Sequence, residues 1–213
     1  MKRFKTFSEG EIQRINRLQR NSFDALYYLF EPPLPRDVPE RLETIVAQGK
    51  ITGGNTVLDV GSGTGILIPL IKEYNPGRIY ACDLSRRMLK QLMKKYPYVE
   101  TIMADVRDLR LPEGSTDAVY VNACYSNIAD KNGAFSNLSR MMKGKGRMVI
   151  SHPLGKEFIK TIRERVPYPL DEFPEESEAR ALLKPFGFEI ETFVDELDLY
   201  ILVATRCRCK EVK

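Results

Sequence analysis

Residues 57–71, VLDVGSGTGILIPLI, set three glycines on alternate positions directly after an apolar run. A strand that turns into a helix through such a stretch exposes backbone N–H groups and lets a ligand approach the main chain closely. Two nucleotide-binding patterns can be held against it. The dinucleotide fingerprint GxGxxG needs its third glycine at position 66, which is Ile66, so that spacing fails. A phosphate-binding loop of the Walker type needs Gly-Lys-Ser/Thr, which is absent. What stands here is GxGxG, preceded by Asp59. A carboxylate at that point is a poor neighbour for a pyrophosphate and a good one for a cationic or amine-bearing ligand.

Around the glycine stretch, short apolar strands alternate with helical segments. TVLDV, RIYACDL, VETIMAD, DAVYVNAC and GRMVISHP read as strands, and GILIPLIKEYN, SRRMLKQLMKKY with Ser85 as N-cap, and AFSNLSRMM read as helices between them. The last of these helices is expected to stop at KGKG, residues 143–146. KEFIKTIRERV and SEARALLKPF are helical, and FEIETFVDEL and LYILVATR close the chain as two strands with a tight connection. Alternating strands and helices give a parallel sheet, and the short final connection gives an antiparallel last strand. The fold class is α/β in three layers. Before it, Thr6 to Phe30 reads as one helix, four prolines within residues 32–39 break it, and a second helix runs from about Pro39 to Gly49. Residues 1–50 are expected to form a helical cap or lid, and residues 51–213 the main domain.

The 213 residues suffice for one such domain, and 43% apolar with 29% charged residues is an ordinary globular balance. The net charge of +4 is small, and part of it lies in the terminal stretches MKRFK and TRCRCKEVK. A nucleic-acid footprint would need a denser basic face, so nucleic acid is disfavoured as a partner. No stretch has the form of a secretory signal or approaches the ~20 apolar residues of a membrane span, so a cytoplasmic setting without membrane is expected. Of the four cysteines, Cys82 and Cys124 read as small core residues, while Cys207 and Cys209 form a lone CxC. With a single histidine, His152, distant in sequence, no metal site is expected.

VLDVGSGTG resembles the first motif of the class I S-adenosylmethionine-dependent methyltransferases, of the small-molecule kind with a type 11 methyltransferase domain. The following segments match in order, so that the resemblance covers roughly residues 40–206, including KPFGFEIE before the closing hairpin. It implies a Rossmann-like methyltransferase fold with a mostly parallel seven-stranded sheet, and S-adenosylmethionine as cofactor with S-adenosylhomocysteine as product. By the same resemblance, Gly61, Ser62 and Gly63 lie against the methionine and ribose parts of the cofactor, and Gly65 packs helix on strand. Asp59 organises the methionyl end. Asp83 accepts from the two ribose hydroxyls, which a carboxylate can do with its two oxygens. Leu84 covers one adenine face, Asp105 accepts from the adenine amino group with Asp108 as its competitor, and Val106 offers its backbone N–H. Asn122 faces the methionyl group or the transferred methyl.

The acceptor is less legible. Methyl transfer from a sulfonium is an in-line displacement, and positioning and water exclusion carry much of its catalysis. No Asn-Pro-Pro-Tyr or Asp-Pro-Pro-Tyr follows the fourth strand, which disfavours exocyclic amino methylation. Tyr125 can hydrogen-bond an acceptor, and His152 at a strand end can serve as a base or can simply pack or orient a loop. The apolar stripe of Phe23, Leu26, Tyr27, Tyr28 and Phe30 fits a lid or a packed core equally. RVPYPLDEFPEE, residues 165–176, is a second lid candidate. A small-molecule acceptor is the leading expectation, with the chain a monomer or homodimer. The alternatives are an RNA or protein methyltransferase, or a non-catalytic binding protein on the same fold.

Overall fold

The structure, a computed structural model, describes residues 4–31 and 33–207. Seven strands form one sheet: β1 (Thr56–Val60), β2 (Arg78–Asp83), β3 (Glu100–Met103), β4 (Thr116–Asn122), β5 (Met142–His152), β6 (Phe188–Glu196) and β7 (Leu199–Arg206). Their order is β3-β2-β1-β4-β5-β7-β6. The pairs from β3 through β5 are parallel, and β7 runs antiparallel to both its neighbours. The expected α/β class, the seven strands and the antiparallel last strand are all present. β7 pairs antiparallel with β6 because only two residues, Leu197 and Asp198, link them, and its other edge pairs with β5.

Alternation along each strand feeds two apolar layers. Leu58, Val119, Ile150 and Leu202 face the layer closed by α1 (Glu9–Leu26), α5 (Lys131–Met141), α6 (Phe158–Arg163) and α7 (Glu176–Leu183). Val57, Ala118, Val149 and Val203 face the layer closed by α2 (Val38–Ala47) and α3 (Ile68–Glu73), with Leu92 of α4 (Arg86–Lys95) joining it. The two N-terminal helices therefore belong to opposite faces. α1 starts at Ser8 with a reciprocal cap to Glu11 and stops at Leu26, shorter than the helix read from sequence; Tyr27–Phe30 continue as a 3-10 turn.

KGKG does not end α5 in a turn. β5 begins directly at Met142, and the register jumps from Thr116↔Met142 to Ala118↔Arg147, so that residues 143–146 bulge opposite Asp117. Lys143 pairs with the Asp117 carboxylate at 2.8 Å, and Lys145 takes a positive φ of 71° within the bulge. The lysines and glycines that read as a helix stop supply this irregular strand start.

The Tyr120 hydroxyl, buried in the α2 layer, donates to the Val46 carbonyl at 2.6 Å and so ties α2 to the sheet centre. Gly49 leaves room for that ring, since a Cβ there would lie 1.9 Å from the hydroxyl. Tyr120→Phe is expected to lower stability by about 1–2 kcal/mol by orphaning the carbonyl. Gly49→Ala is expected to cost about 1–3 kcal/mol by overpacking. Urea unfolding of the two single variants and the double variant should give a double-variant loss smaller than the sum, because both act on one contact.

Candidate active site

At the carboxyl ends of β1, β2 and β4 the sheet opens into a cleft lined by Gly61, Asp83, Leu84, Asp105 and Val106 together with Cys124 and residues of α1. The glycine turn shapes its floor. Gly61 has φ 66°, and a Cβ there would meet Cys124 Sγ at 2.3 Å, so no larger residue fits. Its N–H and that of Ser62 donate to the Cys82 carbonyl at 2.8 and 3.1 Å, folding the end of β1 over β2. Gly63, φ 54°, has open space where a side chain would project. Gly65 packs against Leu92 and Tyr96 of the α4 region.

Asp83, at the end of β2, accepts from the Gly63 N–H at 2.9 Å with one oxygen and from the Ser85 N–H at 2.8 Å with the other. Burial nonetheless holds its carboxyl above the usual range. Asp105 accepts from the Arg107 N–H at 3.1 Å and from the Asn16 side-chain amide at 2.6 Å, and burial raises it too. Asp59 is 2% exposed and one of its oxygens has no hydrogen-bond partner. Burial, then the nearby Asp83 carboxylate, push its pKa to about 8, so that it is mostly protonated at neutral pH. The buried hydroxyl of Ser62 is likewise unpaired. Asn122 is buried and accepts from the Ser151 hydroxyl at 3.0 Å. Asp108 is exposed and pairs with Arg107 at 3.2 Å, so Asp105 rather than Asp108 lines the cleft.

Neither His152 nor Tyr125 lines the cleft. His152 is 4% exposed, its ring lies 5.2 Å from Phe158 and 5.8 Å from Phe173, and its Nδ1 accepts from the Leu154 N–H at 3.2 Å. Burial pushes it down to about 4, which leaves it neutral at physiological pH. Tyr125 stacks on Phe173 at 5.2 Å and burial raises its phenol. Cys124, read from sequence as a core residue, lines the cleft; burial raises its thiol, so it is not a thiolate. Cys207 is a free thiol, and Cys209 lies outside the described residues.

The residues that sequence reasoning missed come from α1, which lies across the cleft. Asn16 and Gln19 line it, and Gln19 donates to the Asn127 carbonyl at 2.7 Å. Arg20 donates to the Leu84 carbonyl at 3.2 Å, and Asp24 accepts from the Ser85 hydroxyl at 2.5 Å and the Arg87 N–H at 3.1 Å. The available signal was Gln19, a polar residue on the same helical face as Ile12 and Ile15.

Residues 58–150 match the family described as a methyltransferase domain. A demethylmenaquinone methyltransferase of Tropheryma whipplei is 31% identical over 108 residues, 48% of this chain and 45% of that protein. The chain spans about half or less of the length of the curated relatives it matches. Among solved structures, a Haloferax volcanii methyltransferase in complex with the Trm112 activator superposes with TM-score 0.73 at 17% identity, covering 87% of this chain and 98% of that one. The 1,6-didemethyltoxoflavin-N1-methyltransferase of Burkholderia thailandensis, with S-adenosylhomocysteine bound, gives TM-score 0.69 at 14% identity, covering 96% and 93%. At these identities the structural likeness speaks for the fold.

The raised Asp59 has a measurable consequence. From an ordinary 3.8 to about 8, the folded state holds a proton that the unfolded chain has released. Its contribution to stability therefore falls as pH rises through that window. The unliganded protein is expected to lose stability from pH 5 to pH 8 in urea titrations, at roughly the 1.4 kcal/mol per pH unit that one proton allows or less. Asp59→Asn is expected to flatten that slope and to be the more stable protein at pH 8; an unchanged slope would contradict the assignment.

Proposed function

We propose that the chain is a class I S-adenosylmethionine-dependent methyltransferase that transfers the methyl group to a small, largely apolar acceptor. The observation that carries this reading is the surplus of carboxylates over cations at the cleft: Asp83 and Asp105 line it, and Asp59, buried beside Asp83 and outside the lining, has one oxygen without a partner. Such a site favours a cationic ligand, whose charge would drive Asp59 to ionise and repay its burial. The unpaired Ser62 hydroxyl, the open space beside Gly63 and the Asp105 acceptor, already engaged by an amide NH2, fit the remaining parts of an adenosyl amino acid.

S-adenosylmethionine would supply an electrophilic methyl on its sulfonium. In this reading Asp59 and Ser62 hold the amino-acid end, and Asp83 accepts from the ribose diol while staying anchored to Gly63 and Ser85. Leu84 covers the adenine face, and Asp105 with the Val106 N–H reads its edge. Asn122, fixed by Ser151, orients the methionyl group. No residue has to carry a proton for the displacement itself, since alignment and exclusion of water lower its barrier. The neutral, buried His152 and the phenol of Tyr125 are assigned to shaping the wall around Phe173 and not to proton transfer.

The acceptor class is supported by the aromatic wall where α1 meets the 165–176 segment. Phe23 lies 5.8 Å from Phe30 and 6.4 Å from the buried Tyr168, a surface suited to an apolar or ring-bearing molecule. Two relatives are named for small-molecule acceptors, a demethylmenaquinone and a didemethyltoxoflavin.

Calorimetric titration with S-adenosylhomocysteine tests the cofactor reading. Wild type is expected to bind, and Asp83→Ala to weaken binding by about ten- to a hundredfold, the worth of a charged hydrogen-bond acceptor. No binding at millimolar concentration would overturn the reading. With methyl-labelled S-adenosylmethionine and extract, label is expected in the small-molecule fraction and absent with Asp83→Ala; label in RNA or protein would reassign the acceptor.

A further inference from the structure

Leu26, Tyr28, Leu29 and Phe30 are 42, 57, 63 and 43% exposed, four large apolar side chains within five residues at the end of α1. Single exposed hydrophobics are ordinary, but a cluster of this kind is not. Beside it lies α4, which carries Arg86, Arg87, Lys90, Lys94 and Lys95 and no acidic residue. Among the described residues Arg86, Lys90 and Lys94 are exposed and make no ion pair, as is Arg17 on α1. Basic and apolar groups form one unit, because Asp24 of α1 caps Ser85 and Arg87, and the Arg87 guanidinium lies 4.2 Å over the Tyr27 ring.

We infer that this α1–α4 face, with the Tyr27–Phe30 turn as its apolar tip, docks the protein on an anionic lipid surface. The inference goes beyond methyl transfer and does not depend on it. It also replaces the expectation of no membrane contact: no helix among the described residues is long and apolar enough to cross a bilayer, and what is inferred is adsorption. Charge complementarity selects an anionic partner. The tip then selects lipid over nucleic acid or an acidic protein. Leu26 and Leu29 offer nothing to a base, and a projecting tip needs either a matching pocket or a deformable apolar medium, which the acyl boundary supplies to any such tip. Docked this way, α1 sits between the lipid and the cleft it roofs, so a lipophilic acceptor would reach the cleft along that helix.

Co-sedimentation with phosphatidylcholine vesicles, with and without roughly 30% phosphatidylglycerol, tests the inference. Wild type is expected to partition at least about tenfold better onto the anionic vesicles, and to be released by salt. Lys90→Glu/Lys94→Glu is expected to abolish the preference, and Tyr28→Ser/Leu29→Ser to weaken partitioning about tenfold at unchanged thermal midpoint. Wild type that stays in the supernatant with anionic vesicles while retaining its thermal midpoint overturns the inference. So does sedimentation that neither variant changes, or binding to a single-stranded RNA that Tyr28→Ser/Leu29→Ser leaves intact while vesicles are ignored. S-adenosylhomocysteine binding, read separately, distinguishes failure of the docking surface from failure of the methyl-transfer reading.

Discussion

The site hangs on the hydrogen bond from the Gly63 N–H to Asp83 at 2.9 Å. It fastens the turn after β1 to the end of β2, and the other Asp83 oxygen passes the connection on to Ser85, the cap of α4. Ser85 in turn donates to Asp24, so a polar chain runs from the glycine turn to the helix that roofs the cleft. A single carboxylate thus sets turn, helix start and roof. Gly63 needs its positive φ to point its N–H there, which is why the sequence spends a glycine at a position where nothing crowds a Cβ.

Gathering carboxylates around a cleft costs stability. Burial raises Asp59, Asp83 and Asp105 alike, and Asp83 adds to the rise of Asp59. Arg107 offsets part of this for Asp105 at 3.6 Å, yet its stronger ties are outward, to Glu9 and Asp108. Asp59 has no such partner, and a neutral isostere would suit the empty fold better. A buried acid kept at that expense is best understood through what it does when a cation arrives.

The strands and the antiparallel closing pair were legible because short apolar runs, the glycine turn and the tight last connection are local signals: TVLDV, the Asp83 strand end and the closing hairpin all read directly. Three things were not, each for a nonlocal reason. The bulge at residues 143–146 lies opposite Asp117, which is remote in sequence and pairs with Lys143. His152 stands at its strand end as expected, but Phe173, 21 residues on, helps wall it in. The contacts made by the polar residues of α1 could not be read locally, because their partners, Leu84, Asp105 and Asn127, lie 64 to 108 residues away.

The character of that α1 seam bears on how the cleft can be reached. Ile12, Ile15 and Leu18 seat the helix against the core and Phe23 packs on Tyr168, while Asn16, Gln19, Arg20 and Asp24 tie it across the cleft through hydrogen bonds. Water can replace such bonds at a net cost near 1 kcal/mol each, whereas pulling isoleucines from the core costs considerably more. The polar ties are therefore the part of the α1 seam that costs least to exchange. The Asp105 oxygen that the Asn16 amide occupies is an acceptor that a planar amino group of a ligand can take up in its place.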